Sequence, residues 1–119
     1  MSITTHVLDT ALGLPGHGIN THLEILVSEK NGVNKEEWSL VAKGTTNEDG
    51  RIPNFLPTDF NVVKGVYRIT FLTSDYFQMA GRECFYPYAS IVFNIQDPKS
   101  HYHVPLLISG FGFSTYRGS

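Results

Sequence analysis

A run near the carboxyl end, in which every second residue is large and apolar, is the feature that most constrains the fold. From Tyr102 to Ile108 the alternate residues are Tyr, Val, Leu and Ile. Because successive side chains of a strand point to opposite faces, this period of two predicts a strand with one buried face. Ser109 and Gly110 provide a turn signal, and a second alternating run follows. The stretch therefore predicts a β-hairpin.

The same period of two recurs along the chain. It predicts further strands over residues 4–9, 21–28, 37–46, 65–72 and 86–96. In the second of these strands we expect Leu23, Ile25 and Val27 to face inward. In the third, we expect one shared face to carry Trp38, Leu40 and Ala42.

Turn and cap signals divide these strands. An Asn-Gly pair at 31–32 predicts a hairpin turn, and the Gly-Leu-Pro-Gly cluster at 13–16 predicts a second turn. Only residues 74–81 resemble a helix, with Ser74 or Asp75 as its cap and a glycine at its end. Seven or eight short strands predict an all-β antiparallel sandwich, which periodicity alone does not distinguish from an immunoglobulin-like domain.

Composition limits the classes of protein to consider. The 119 residues predict a single domain, 1–119, and a formal net charge of −2 gives no basic surface for nucleic acid or membranes. Cys84 is the only cysteine, so an intrachain disulfide is impossible and a reducing compartment is favoured. There is no apolar run of about 20 residues and no amino-terminal signal pattern, so we expect neither a membrane span nor a leader.

The last four residues place a phenol, a guanidinium, a glycine and a free carboxylate at the end of a strand. Two histidines, His101 and His103, lie on the preceding strand with the same orientation. Taken alone, such histidines are most often surface residues, and such termini are most often frayed. The two imidazoles could share a zinc ion, but no nearby cysteine or glutamate completes a ligand set, so we predict no metal.

Three motifs carry a resemblance to a known family. HYHVPLLISGFGFSTYRGS at the end, THVLDTALGLPG near the start and TTNEDGR in the middle resemble the 5-hydroxyisourate hydrolases, the transthyretin-related enzymes of urate breakdown. The resemblance implies a transthyretin-like antiparallel β-sandwich of two four-stranded sheets with one short helix. It also implies a homotetramer with sites at subunit interfaces, and no cofactor. The terminal YRGS distinguishes the enzymes from the hormone carriers of the same superfamily.

The resemblance also implies the site residues. The catalytic residues would be His6, Arg51, His103 and Ser119, and the substrate-binding residues would be His6, Arg51, Tyr116, Arg117 and Gly118. The substrate would be 5-hydroxyisourate and the product 2-oxo-4-hydroxy-4-carboxy-5-ureidoimidazoline. A histidine near its ordinary pKa suits proton transfer at neutral pH, and a guanidinium suits stabilisation of an oxyanion. Which histidine is the base stays open.

Two other interpretations remain open at this point. The same fold could serve as a transthyretin-type thyroid-hormone carrier, or as a structural sandwich domain without catalysis. His17 and His22 are expected to face solvent, and His101 is left outside the core set of site residues. The expected compartment is the cytoplasm, with the peroxisome as the alternative.

Overall fold

The computed structural model describes residues 2–30 and 35–119, so the Asn-Gly turn predicted at 31–32 lies outside the described residues. Within those two ranges the chain forms eight strands and one helix. No helix in this part of the chain has the length and apolar character needed to cross a membrane. The strands are β1 (Ser2–Asp9), β2 (Leu14–Pro15), β3 (Asn20–Lys30), β4 (Lys35–Thr45), β5 (Gly65–Phe71), β6 (Ala89–Ile95), β7 (His101–Ser109) and β8 (Gly112–Thr115), and the helix is α1 (Thr73–Met79).

The strands form two four-stranded sheets. The first sheet has the order β2-β1-β7-β8 and the second has the order β4-β3-β5-β6. This confirms the predicted sandwich of two four-stranded sheets with one short helix. All neighbours are antiparallel except β1 and β7, which run parallel. Parallel strands need a crossover connection, and here that connection contains the whole second sheet.

The core lies between the two sheets, and it follows the predicted alternation in three strands. Ile3 and Val7 of β1 are buried, as are Ile69 of β5 and the alternate residues from Tyr102 to Ile108 of β7. The intervening residues of β1 and β7 therefore occupy the outer face of the first sheet. That face carries His6, His101 and His103.

Two predicted faces on β3 and β4 are wrong, because Val27 does not point inward and Leu40 does not share a face with Ala42. Val27 is 56% exposed and Leu40 is 55% exposed. Val41 is left without a partner between the pairs Leu23–Ala42 and Glu24–Leu40, and a second irregularity falls at Val27. An extra residue in one strand reverses the alternation beyond it, so Leu40 lies on the outer face while Ala42 is buried.

The helix and one turn also differ from expectation. Neither Ser74 nor Asp75 caps α1, because the residue before the helix is Leu72 and no side chain provides a cap. The carbonyl oxygen of Pro87 instead accepts a hydrogen bond from the Ser74 amide. Gly81 does follow the helix end, with φ +65°. Leu14 and Pro15, predicted as part of a turn, form β2 against the end of β1.

Candidate active site

The parallel register of β1 and β7 places the polar residues of both strands side by side. Ser2 pairs with His101, Thr4 with His103, and His6 with Pro105. Their neighbours in each strand, such as Ile3 and Tyr102, are buried between the sheets. The side chains of Ser2, Thr4, His6, His101 and His103 therefore share the outer face of the first sheet.

A tight loop, residues 47–51, brings Arg51 to the opposite edge of β1. Asn47 Oδ1 accepts hydrogen bonds from the amides of Asp49 (2.9 Å) and Arg51 (3.0 Å). The Val7 amide donates to the Gly50 carbonyl oxygen at 2.8 Å, and Arg51 forms a β-bridge with His6. Gly50 has φ +76°, and a Cβ there would lie 2.3 Å from the Val7 carbonyl oxygen. Only glycine allows the loop backbone to pass this close to β1, and this close contact holds Arg51 beside His6.

The terminal segment, residues 116–119, lies against β7. The Gly118 amide donates to the His103 carbonyl oxygen at 2.8 Å, which forms a β-bridge between the two residues. Just before the segment, the Thr115 hydroxyl donates to the Pro105 carbonyl oxygen at 2.7 Å. A Cβ on Gly118 would lie 2.5 Å from Cδ2 of the His103 imidazole. The end of the chain is thus held beside the histidine.

These three elements surround an open polar cavity of about 470 Å³, called here the polar cavity. It is lined by Thr4, Arg51, His101, His103, Tyr116, Gly118 and Ser119. Five of the seven predicted site residues are in that set. His6 is not a lining residue but lies beside it, through its bridge to Arg51.

Arg117 is directed away from the polar cavity. Its guanidinium carbon lies 4.4 Å from the centre of the Tyr102 ring, and its Nη2 donates to the His101 carbonyl oxygen at 3.5 Å. It lines a separate, smaller cavity of about 240 Å³ that is mainly apolar. Arg117 therefore does not line the polar cavity, but it shares the apolar cavity with His103 and Tyr116, which line both cavities.

Two contributors to the polar cavity were absent from the predicted core set. Thr4 Oγ1 lies 2.8 Å from His103 Nδ1 and 3.2 Å from His101 Nε2. The available signal for Thr4 was its place two residues before His6 on the same strand face. His101 lies outside the predicted core set because the sequence does not reveal the register of β1 against β7, and so does not show that Thr4 lies within reach of His101. His17, as predicted, is exposed, and His22 is half-buried on the second sheet, 3.8 Å from Glu24.

The environment of His103 favours the neutral imidazole. Burial lowers its pKa below the ordinary 6.5, and the positive charge of Arg51, followed by those of His101 and His6, acts in the same direction. A neutral imidazole can accept a proton, so His103 is suited to act as a base at neutral pH. Across residues 2–30 and 35–119, no group of three or more His, Cys, Asp or Glu residues is arranged to hold a metal ion.

Comparisons with known proteins show which family this chain is similar to. A family model described as the HIUase/Transthyretin family matches residues 3–118. The chain is 41% identical to 5-hydroxyisourate hydrolase of Mus musculus, an alignment that covers 98% of this chain and 94% of the mouse protein. It is 39% identical to a probable 5-hydroxyisourate hydrolase of Caenorhabditis elegans, over 99% of this chain and 82% of the relative.

Solved structures show the same likeness. A 5-hydroxyisourate hydrolase of Klebsiella pneumoniae superposes with a TM-score of 0.77 at 35% identity, covering 98% of each chain. Sea bream transthyretin in complex with thyroxine superposes with a TM-score of 0.85 at 28% identity, over 98% of this chain and 93% of the other. The family model and the relatives at about 40% identity confirm the resemblance that the three motifs indicated, and with it the prediction of a hydrolase. The chain belongs to the HIUase/Transthyretin family.

Proposed function

We propose that this chain hydrolyses 5-hydroxyisourate in urate breakdown, giving 2-oxo-4-hydroxy-4-carboxy-5-ureidoimidazoline. One observation carries the proposal: Arg51, His103 and the terminal Ser119, which are far apart in the chain, line a single polar cavity. Relatives at about 40% identity over nearly the whole chain are named for this reaction. The cavity is also large enough for a small planar heterocycle.

The proposed mechanism uses each group for the task its chemistry suits. His103, with His6 beside the cavity, takes a proton from the attacking water, because its surroundings keep the imidazole neutral. The guanidinium of Arg51 stays charged and stabilises the oxyanion that develops on the attacked carbonyl. Two N–H groups of the same guanidinium can bind two acceptors of the substrate at once.

The terminal segment holds the reactants in place. Tyr116 and Gly118 line the cavity and would contact the planar ring of the substrate, while the Ser119 carboxylate would orient an imidazole. Arg117, which packs on Tyr102, would instead hold the segment against β7. Fixing the reacting groups in this way supplies much of the rate of a hydrolysis.

We further propose a homotetramer in which a second subunit closes the site. The polar cavity of one chain is open, and apolar side chains lie exposed in and beside β8, among them Phe111, Phe113 and Tyr116. Exposed apolar patches of this kind mark contact surfaces between proteins.

The decisive experiment measures the absorbance of freshly made 5-hydroxyisourate after addition of the protein. We expect rapid loss of the signal with wild type, and a decrease of about 10²-fold or more in kcat for His103→Ala, the scale for loss of an acid or base. His22→Ala, on the second sheet, is the matched control and should retain the wild-type rate. A wild-type protein that does not accelerate the reaction rejects the function.

Hormone carriage is the second candidate, because the thyroxine complex of sea bream transthyretin has the same fold. The polar cavity argues against it, since burying Arg51 and two imidazoles against an apolar ligand costs free energy. Displacement of a fluorescent probe by thyroxine tests it directly. We expect no displacement at micromolar thyroxine, and saturable displacement without hydrolysis would favour the carrier.

A further inference from the structure

A continuous line of hydrogen bonds joins the two imidazoles that line the polar cavity. Thr4 Oγ1 lies between two imidazoles, 2.8 Å from Nδ1 of His103 and 3.2 Å from Nε2 of His101. Nδ1 of His101 is in turn hydrogen-bonded to the hydroxyl of Ser2. The two rings lie nearly parallel, with an angle of 12° between their planes and 6.3 Å between their centres.

The parallel pairing of β1 with β7 creates this line. The register sets Thr4 directly beside His103, and Ser2 beside His101, on the same sheet face. A single hydroxyl can therefore reach both imidazoles. Both imidazoles line the polar cavity, but His101 is exposed whereas His103 is half-buried, so the line leads toward the more solvated ring.

A threonine hydroxyl has one hydrogen and two lone pairs. It can donate to only one of the two imidazoles and must accept from the other, so the tautomers of His101 and His103 are coupled. When His103 carries its hydrogen on Nδ1, Thr4 accepts that hydrogen and donates its own to Nε2 of His101. Nε2 of His103, the nitrogen not held by Thr4, then has a free lone pair for catalysis.

We propose that Thr4 and His101 form a proton relay that sets the tautomer of His103 and shares the positive charge it acquires. As Nε2 of His103 takes a proton from water, its Nδ1 proton passes to the Thr4 oxygen and the Thr4 hydroxyl proton passes to Nε2 of His101. The charge then resides on His101. When Nε2 of His103 gives its proton to the leaving nitrogen, the same two transfers run backwards.

The surroundings of the two imidazoles give the relay a direction. His103 is faced by Arg51 from the loop 47–51, by His6 and Thr4 from β1, by His101 along β7, and by the terminal segment. Burial and the charge of Arg51 lower the pKa of His103, so a proton left on it is disfavoured. Water solvates a positive charge on the exposed His101 ring, so moving the charge from His103 to His101 lowers the free energy of the protonated site.

Thr4 and His101 are positioning residues in this scheme, which rests on the proposed hydrolysis. Thr4→Val removes the hydroxyl and keeps the branched shape, Thr4→Ser keeps the hydroxyl, and His101→Gln keeps hydrogen bonding but cannot accept the charge. We expect kcat to fall about tenfold or more for Thr4→Val and for His101→Gln, with KM nearly unchanged, somewhat less than for loss of the base itself. Thr4→Ser should restore the rate to within about threefold.

The double variant gives the sharpest readout. In a relay, Thr4→Val and His101→Gln interrupt one path, so the combined loss should equal either single loss rather than their product. Thr45→Val and His22→Gln, on the second sheet, are matched controls and should leave kcat unchanged. Multiplicative losses in the double variant, or wild-type kcat in Thr4→Val, would overturn the relay.

A substrate-free measurement separates the relay from the proposed function. Nitrogen NMR of the imidazoles at pH 8 should show His103 protonated at Nδ1 in wild type and Thr4→Ser, and a mixture of tautomers in Thr4→Val. An unchanged tautomer in Thr4→Val rejects the coupling even if the wild type is an active hydrolase. The coupling together with an inactive wild type would reject the hydrolase function instead.

Discussion

Two histidines of one strand face, two residues apart, have very different neighbours. His101 is exposed and bonded to Ser2, whereas His103 is half-buried and lies within the field of Arg51. The lowered pKa of His103 means that its neutral form persists as the pH falls somewhat below 6.5. When kcat/KM is measured against pH, we therefore expect the fall in rate on the acid side to lie below pH 6.5.

Arg51 tests whether the site needs a planar fork or only a positive charge. Arg51→Lys retains the charge but loses the two parallel N–H groups, so we expect kcat/KM to fall about 10²-fold. The free energy of unfolding in urea should stay within about 0.5 kcal/mol of wild type, because Arg51 is exposed. Full activity in the lysine variant would show that Arg51 acts as a point charge.

The terminal segment is the element whose position the site depends on most. A Cβ at Gly118 would lie 2.5 Å from the His103 ring, whereas a Cβ at Gly112 would meet nothing closer than the Ser109 hydroxyl oxygen at 3.9 Å. Gly118→Ala should lower kcat by about 10²-fold, the scale for a catalytic group displaced by about 1 Å. Gly112→Ala is the matched control, and equal activities of the two variants would contradict the close packing.

A buried carboxylate connects the end of β1 to α1 and to the loop that follows the helix. The Asp9 carboxylate is fully buried and accepts hydrogen bonds from Arg82 (2.7 Å), Tyr76 (2.7 Å) and two backbone amides. Burial is the largest single influence and would raise the pKa of Asp9, but the hydrogen bonds from Arg82, Tyr76 and the Leu12 amide, with the charge of Arg82, together lower it below 3.8. The folded state therefore binds the proton more weakly than the unfolded chain does.

This lowered pKa gives a signed prediction for stability. Asp9 stabilises the fold above about pH 4, and the contribution is lost as the pH falls through its folded pKa. Asp9→Asn should lower the free energy of unfolding at pH 7 by about 2 kcal/mol, less than for a fully buried pair because Arg82 is 24% exposed. Urea titrations at pH 7 and pH 3 should show the difference from wild type shrinking at pH 3. Asp59→Asn, at an exposed position, should leave the free energy of unfolding unchanged at both pH values. If the difference between Asp9→Asn and wild type is the same at pH 7 and pH 3, the linkage is refuted.

For the whole molecule, the terminal segment is largely exposed and is the part of the proposed site that a fused chain would disturb first. A tag fused after Ser119 adds chain beside the polar cavity. We expect such a protein to lose hydrolysis, while circular dichroism still shows a β-rich fold and light scattering shows the same number of 13.3 kDa chains as in the untagged protein. A tag before Met1 is the control. Hydrolysis at the untagged rate by the carboxyl-terminal fusion would remove Ser119 from the site.

The sequence by itself determined the local features of this protein. Alternation of apolar residues predicted β5 and β7, because the period of two follows from backbone geometry within a strand. Gly81 marked the end of the helix for an equally local reason, its positive φ. The terminal YRGS and the two other motifs carried the family, and with it five of the seven residues that line the polar cavity.

Only the tertiary structure decided which residues meet. Thr4 lies beside His103 through a pairing of strands 99 positions apart, and no local pattern encodes that register. The unpaired Val41 reversed the expected faces of β4 for a similar reason, since a bulge is defined by both strands. Arg117, grouped with its neighbours by sequence, packs on Tyr102 because the direction of a side chain depends on what the fold places beneath it.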